Sequence, residues 1–107
     1  VEGEAIADLG GVALAYRAYQ KSMEGKPQPA AIGGFTGDQR FFLGFATVWA
    51  SSIRPQMARM LATIDSHPPA RYRVNGTLAD FPAFGRAFSC KPGDALTRNG
   101  GDDCQLW

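Results

Sequence analysis

Two cysteines and one histidine stand among 107 residues, so the chain has few groups for metal or redox chemistry. Cys90 and Cys104 can bond to each other across a short loop, bond to cysteines outside this chain, or stay reduced, and two cysteines do not choose among these. They do not make a zinc site, because no second Cys or His pair accompanies them. Long hydrophobic runs are also lacking. The longest strongly apolar stretch, Phe41 to Ala50, is about half of the ~20 residues that a membrane span needs. No basic segment followed by an apolar core opens the chain. Charge of either sign is sparse and mixed, with 11 Lys and Arg against 10 Asp and Glu. No basic cluster carries interleaved aromatics, which argues against a nucleic-acid partner. There is no internal repeat and no low-complexity tract.

What is present is the composition of a globular domain, 45% hydrophobic and 20% charged, rather than of a disordered tail or a coiled coil. A chain of this size buries roughly two-thirds of its surface, enough for one modest core. It begins at Val1 rather than Met, and its first residues already read as helix. The expectation is a cut or boundary there, with residues 1–107 forming one segment of a larger protein.

The spacing predicts a mainly α fold of three to four helices with long loops. From Glu4 to about Met23, Ile6, Leu9, Ala13 and Tyr16 recur at intervals of three and four and share one helical face. Gly10 and Gly11 each cost such a helix about 1 kcal/mol relative to Ala, which suggests a close approach by another backbone or a crowded site. Gly25 to Gly37, with two prolines and two further glycines, reads as loop. Thr36 and Gln39 have capping-box spacing. The helix after them, about Gly37 to Ile53, holds Phe41, Phe42, Leu43, Phe45, Val48 and Trp49 around most of its circumference. It is expected to be buried on nearly all sides, by more structure than this chain supplies. Pro55 suits the first turn of a third helix, striped with Met57, Met60, Leu61 and Ile64. Pro68, Pro69 and the Asn75-Gly76 pair predict that 65–77 is mostly loop. Asp80 with Pro82 at the first helical position predicts a last short helix to about Phe88.

Glu4 and Asp8, four apart, stack on one helical face. Two carboxylates there repel unless a cation or donor lies beside them; on spacing alone they read as an exposed first turn favoured by the helix dipole. His67 is the only histidine and precedes two prolines that stiffen its backbone; a lone histidine more often sits on a surface than in a catalytic site. Arg73, between Tyr72 and Val74, suits a bidentate grip on a carboxylate, or lies with its stem over an aromatic ring at the surface.

The order of these residues is more specific than any one of them. Gly3-Glu4-Ala5-Ile6-Ala7-Asp8-Leu9-Gly10-Gly11 is similar to the GENIADxGG motif of neprilysin-like zinc peptidases, and Ala15-Tyr16-Arg17-Ala18-Tyr19 to its AYRAY continuation. Phe41 through Trp49 resembles the FFLxFAxxW helix of that family, with Arg54-Pro55 following. Asp65-Ser66-His67-Pro68-Pro69-Ala70-Arg71-Tyr72-Arg73-Val74-Asn75-Gly76-Thr77-Leu78 resembles the stretch D-x-H-x-P-x-x-[FY]-R-x-x-G-T-L. Phe84 through Cys90, and Cys104 through Trp107, resemble its F-x-x-A-F-x-C and C-x-x-W closing pieces. The resemblance spans nearly the whole chain and identifies it as the C-terminal part of such a peptidase's catalytic domain, with a thermolysin-like helical architecture.

The resemblance implies a role for each residue. Glu4 would be the carboxylate of a His2Glu set for one Zn2+. Asp8, without touching the metal, would orient a metal-bound imidazole. His67 would donate to the oxyanion formed at the scissile carbonyl. Arg73 would hydrogen-bond a substrate backbone carbonyl, and Val48 with Trp49 would help wall the S1′ pocket. The whole enzyme would be a zinc endopeptidase that hydrolyses oligopeptides on the amino side of hydrophobic residues. The H-E-x-x-H helix and the NAF/Y strand of the family are absent from these 107 residues. The segment by itself is therefore expected to bind no zinc and to cleave nothing without the remaining N-terminal part of the enzyme. Ala5 stands where the family has Asn, Pro68 where Ser is common, and Gln105-Leu106 where a basic-aliphatic pair is usual. Both cysteines match disulfide positions whose usual partners lie upstream, which favours a periplasmic, secreted or membrane-anchored setting over a cytoplasmic one.

A reading of another class is a non-catalytic helical module that packs or self-associates through the apolar faces of the Phe41 to Trp49 helix. The joint presence of Glu4, Asp8, His67 and Arg73 favours the peptidase, which needs all four.

Overall fold

A computed structural model describes residues 2–97. Five helices follow one another: α1 (Glu2–Ser22), α2 (Gly37–Val48), α3 (Pro55–Ile64), α4 (Ala70–Ala79) and α5 (Pro82–Ala87). The only pairing of extended backbone among the described residues is an isolated bridge between Ile32 and Phe35. The mainly helical class expected from the sequence is therefore what forms, with one helix more than the spacing predicted. No helix among the described residues is long and apolar enough to cross a membrane.

The core is aromatic. Tyr16, Phe42, Leu78 and Ala83 are buried at its centre, one from each of α1, α2, α4 and α5. The Tyr16 ring lies 5.3 Å from Phe41, 5.4 Å from Phe42 and 5.8 Å from Phe81. Phe42 in turn meets Phe84 edge-on at 5.6 Å. Edge-to-face and offset pairs at such distances add to the area each ring removes from water. Tyr16 also donates a hydrogen bond to Asp38 Oδ2 at 3.2 Å, which gives its half-shielded hydroxyl a partner.

Local chemistry sets the helix ends where the sequence has it. At α2, Thr36 Oγ1 accepts from the Gln39 N–H and Gln39 Oε1 accepts from the Thr36 N–H, the reciprocal pair of a capping box. Gly37 opens the same helix against Tyr19 and Pro29: a β-carbon there would run into the Tyr19 hydroxyl. Pro55 sits in the first turn of α3, as expected. At the end of α5 the cap is Phe88, followed by Ser89 in the left-handed region at φ 53°.

Five details differ from the sequence-based expectations. In α1 the buried stripe is Leu9, Val12 and Tyr16, whereas Ile6 faces outward. Of the paired glycines, Gly10 is buried, whereas Gly11 faces open space and has no close approach. The second helix stops at Val48 rather than near Ile53, and only Gly37 and Phe42 of it are buried. Its expected burial on nearly all sides is not met, since Leu43 and Val48 are exposed. The last helix is capped by Phe81, not Asp80.

The largest difference is α4, which occupies a stretch where Asn75-Gly76 predicted loop. Its last turns bury Thr77 and Leu78, and Val74 packs on the core. Packing of this face outweighs the roughly 1 kcal/mol that Gly76 costs a helix. Cys90 is half-buried and its thiol unbonded among the described residues; Cys104, its possible partner, and the C-x-x-W piece ending at Trp107 lie outside them.

Candidate active site

The N-terminal half of α1, the C-terminal end of α2 and the first turn of α4, with the loop before it, converge on one spot. Arg73, in α4, sits at its centre. Its Nε donates to Asp8 Oδ2 at 2.6 Å and its Nη2 to Asp8 Oδ1 at 2.7 Å. This is the forked, charge-assisted geometry that a planar guanidinium offers a carboxylate. The same Nη2 reaches Glu4 Oε2 at 3.4 Å. Arg73 thus lies beside both α1 carboxylates and relieves the repulsion that their i, i+4 spacing creates.

Burial distinguishes the two carboxylates. The Asp8 and Arg73 side chains are 10% and 12% exposed, while Glu4 is 42% exposed. Asp8 is committed to its partner; Glu4 presents a partly exposed carboxylate with looser contacts, 3.4 Å to Arg73 and 3.8 Å to His67. Hydrogen bonding to Asp8 raises the affinity of the Arg73 guanidinium for its proton, so it stays charged at every working pH.

His67 stands over Glu4 in the loop between α3 and α4, with Nε2 3.8 Å from Glu4 Oε1. Its position is set by Asp65, a residue not singled out from the sequence. Asp65 Oδ1 accepts the His67 backbone N–H at 2.9 Å and lies 2.8 Å from Nδ1 of the ring. The spacing of two is an Asx-type turn, and the Asp-x-His pattern was the available signal. The backbone hydrogen bond from His67, and then the one from its ring, hold the Asp65 carboxyl below the usual carboxylate range. With Nδ1 engaged by Asp65, Nε2 is the ring nitrogen left facing the site.

Trp49 caps α2, its backbone N–H donating to the Ala46 carbonyl at 3.1 Å while the Ala50 N–H donates to the Thr47 carbonyl at 3.2 Å. The Arg73 guanidinium carbon lies over its ring, 3.9 Å from the centroid. Its neighbour Val48 is turned away and borders an open groove of about 410 Å3 between α1 and α2, lined also by Asp8, Gly11, Val12 and Phe45. Glu4, Asp8, His67, Arg73 and Trp49 are therefore brought together, and Val48 lies beside them across that groove.

The donor set bears on a metal. Among the described residues, no group of three or more His, Cys, Asp or Glu side chains is arranged to hold an ion. The partly exposed carboxylate of Glu4 fits one position of a zinc ligand set; the other ligands have to come from elsewhere.

Known proteins resemble this chain over nearly its whole length. The model of peptidase family M13 matches residues 1–104. The chain is 41% identical over 107 residues to endothelin-converting enzyme 1 of Mus musculus, covering 98% of this chain and 14% of that protein. It is 42% identical to endothelin-converting enzyme-like 1 of Homo sapiens, with the same shares covered. Among solved structures, zinc metalloprotease Zmp1 of Mycobacterium tuberculosis in complex with an inhibitor superposes with a TM-score of 0.84 at 41% identity, covering 91% of this chain and 15% of that one. The chain thus spans a small part of the length of the relatives it matches. It belongs to peptidase family M13, the neprilysin family whose motifs its sequence resembles.

Proposed function

We propose that this chain is the part of a zinc endopeptidase that supplies one metal ligand and the groups that grip the substrate. The observation that carries the reading is the convergence of Glu4, Asp8, His67 and Arg73 from three separate pieces of chain, with Glu4 partly exposed and Asp8 shielded. Glu4 would hold the zinc ion together with ligands from the rest of the enzyme. When bound, the ion polarises the scissile carbonyl as a Lewis acid.

The remaining roles belong to this chain's own side chains. The Asp8 carboxylate has about four acceptor sites, so it can accept an imidazole N–H while Arg73 forks its two oxygens. None of the Arg73 bonds to Asp8 or Glu4 uses Nη1. That face of the guanidinium donates to a substrate backbone carbonyl. His67, whose Nδ1–H is held by the Asp65 carboxylate, donates from Nε2 to the oxygen on which negative charge develops. It does so as an imidazolium, the form in which both ring nitrogens carry protons. A contact of this kind contributes about 3 kcal/mol to transition-state binding. The groove beside Val48 and Phe45 suits a hydrophobic side chain and supports cleavage of oligopeptides on the amino side of such residues. Cys90 and Cys104 at disulfide positions favour an oxidising compartment for the whole protein.

The test is Glu4→Ala in the complete enzyme, with metal content measured beside peptide turnover. Loss of both is expected; a variant that keeps its zinc would show that Glu4 is not a ligand. The 107-residue chain by itself is expected to turn over no peptide, and chelator-sensitive cleavage by it would overturn the assignment of roles.

A further inference from the structure

Trp49 is fixed from its backbone side, because it caps α2 and its N–H is bound to the end of that helix. Its indole N–H is buried with no hydrogen-bond partner among the described residues. What the ring presents to the site is its face. Over that face, 3.9 Å from the centroid, lies the Arg73 guanidinium. The negative face of an indole attracts a cation most strongly where water is excluded, and the Arg73 side chain is largely shielded.

Two constraints of different direction act on that guanidinium. The Asp8 fork works in the plane of the group and sets its position and rotation. It leaves the group free to tilt about the axis of the fork. The indole, lying against the flat side, opposes that tilt. Tilt decides where Nη1 points, and Nη1 is the nitrogen that the forked bonds leave unused. The groove that Val48 and Phe45 border is not lined by Trp49, so the indole is better placed to act on the arginine than on a substrate side chain in that groove.

We infer that Trp49 is a positioning residue for Arg73: its indole face holds the guanidinium at the tilt that aims Nη1 at the substrate backbone, by a cation–π contact rather than by shape alone. This rests on the proposed role of Arg73 and differs from the wall role that the family resemblance implies for Trp49. It also couples the C-terminal end of α2 to the carboxylate pair of α1 through one side chain of α4.

The experiment replaces Trp49 in the complete zinc enzyme with tryptophans carrying increasing numbers of ring fluorines, which drain the negative face at nearly constant shape and spare the fold. kcat and KM are measured for a peptide with a fixed hydrophobic residue after the scissile bond, in the native background and in Arg73→Met. The expected result is a graded fall in kcat/KM with fluorine number, reaching ~10-fold for the tetrafluoro ring, or about 1.4 kcal/mol. The grading should vanish in Arg73→Met, and Trp49→Phe should retain more activity than Trp49→Leu. A flat fluorine series overturns the inference, as does a series that persists undiminished in Arg73→Met. If Arg73→Met leaves kcat/KM unchanged in the unfluorinated enzyme, the proposed role of Arg73 fails first, and this inference with it.

Discussion

The Arg73 guanidinium forks both oxygens of the Asp8 carboxylate at 2.6 and 2.7 Å, joining α4 to α1 across 65 positions of sequence. Both side chains are largely shielded from water, so each is the other's compensation for lost hydration. A buried pair broken from one side leaves an uncompensated charge. Asp8→Ala is therefore expected to destabilise the enzyme by roughly 3 kcal/mol, seen as a lower thermal midpoint. Metal affinity should fall about 10-fold or more, as when a group orienting a ligand is removed. Arg73→Lys should keep the charge but lose the fork, with a smaller drop in midpoint. An unchanged midpoint in Asp8→Ala would mean that the pair is not formed in the enzyme.

The pair Asp65 and His67 makes a separate prediction. Hydrogen bonds from the His67 backbone and ring hold the Asp65 carboxyl below its usual range. A carboxyl lowered on folding contributes stability that is present above its unfolded value of about 3.9 and is lost as pH falls through the lower folded value. A carbon-13 titration of the Asp65 carboxyl should therefore give a midpoint below 3.9; one at or above it would rule out the contact. Asp65→Asn keeps an acceptor for the backbone N–H but removes the negative charge beside Nδ1. It should lower kcat about 10-fold, with little change in KM, because the loss falls on charge that develops only in the transition state.

Those two pairs also divide what the sequence discloses from what it hides. Thr36 with Gln39, and Pro55, act within two or three residues, so spacing is enough to read them; Asp65 with His67 is as local, yet spacing does not mark Asp65 as the residue that fixes the ring. Glu4 and Asp8 could be placed on one face from their spacing, yet the cation between them lies 65 positions away from Asp8 and enters only through the packing of α4 on α1. The helix carrying that cation was the element most at odds with its local signals. Asn75 and Gly76 argue for a turn, and the burial of Thr77 and Leu78 that overrides them is tertiary. Ile6 shows the same limit from the other side: its helical phase matches the buried stripe, but no element among the described residues covers it.

Tyr16 connects the core to alkaline pH. Burial raises its phenol above the ordinary value, and the neighbouring Asp38 carboxylate raises it further. The folded state then binds its proton more tightly than the unfolded chain. This contribution to stability is complete below the unfolded value of about 10 and is lost as pH rises through the folded one. Thermal midpoints should accordingly fall more steeply above pH ~10 in the native protein than in Tyr16→Phe. The variant should itself lose about 1 kcal/mol at neutral pH with the hydrogen bond to Asp38. Parallel midpoint curves for the two proteins would show that Tyr16 does not titrate in this way.

Ser89 is where the backbone itself is under strain. It follows the cap of α5 at φ 53°. The Cys90 N–H bonds to the Gly85 carbonyl at 2.9 Å, and the Ser89 N–H to the Arg86 carbonyl at 3.3 Å. This is the paired pattern of a Schellman motif, in which the residue after the cap is left-handed and usually glycine. A serine side chain there costs roughly 1 kcal/mol relative to glycine. Glycine removes that cost but returns some of it as extra freedom in the unfolded chain. Ser89→Gly should therefore raise stability by about 0.5 kcal/mol, and Ser89→Val, whose branched side chain tolerates positive φ least, should lower it by more than 1 kcal/mol. Equilibrium denaturation of the two variants against the native protein decides the matter. Equal stability of Ser89→Gly and Ser89→Val would mean that this residue does not adopt the left-handed conformation that ends α5 and turns the chain toward Cys90.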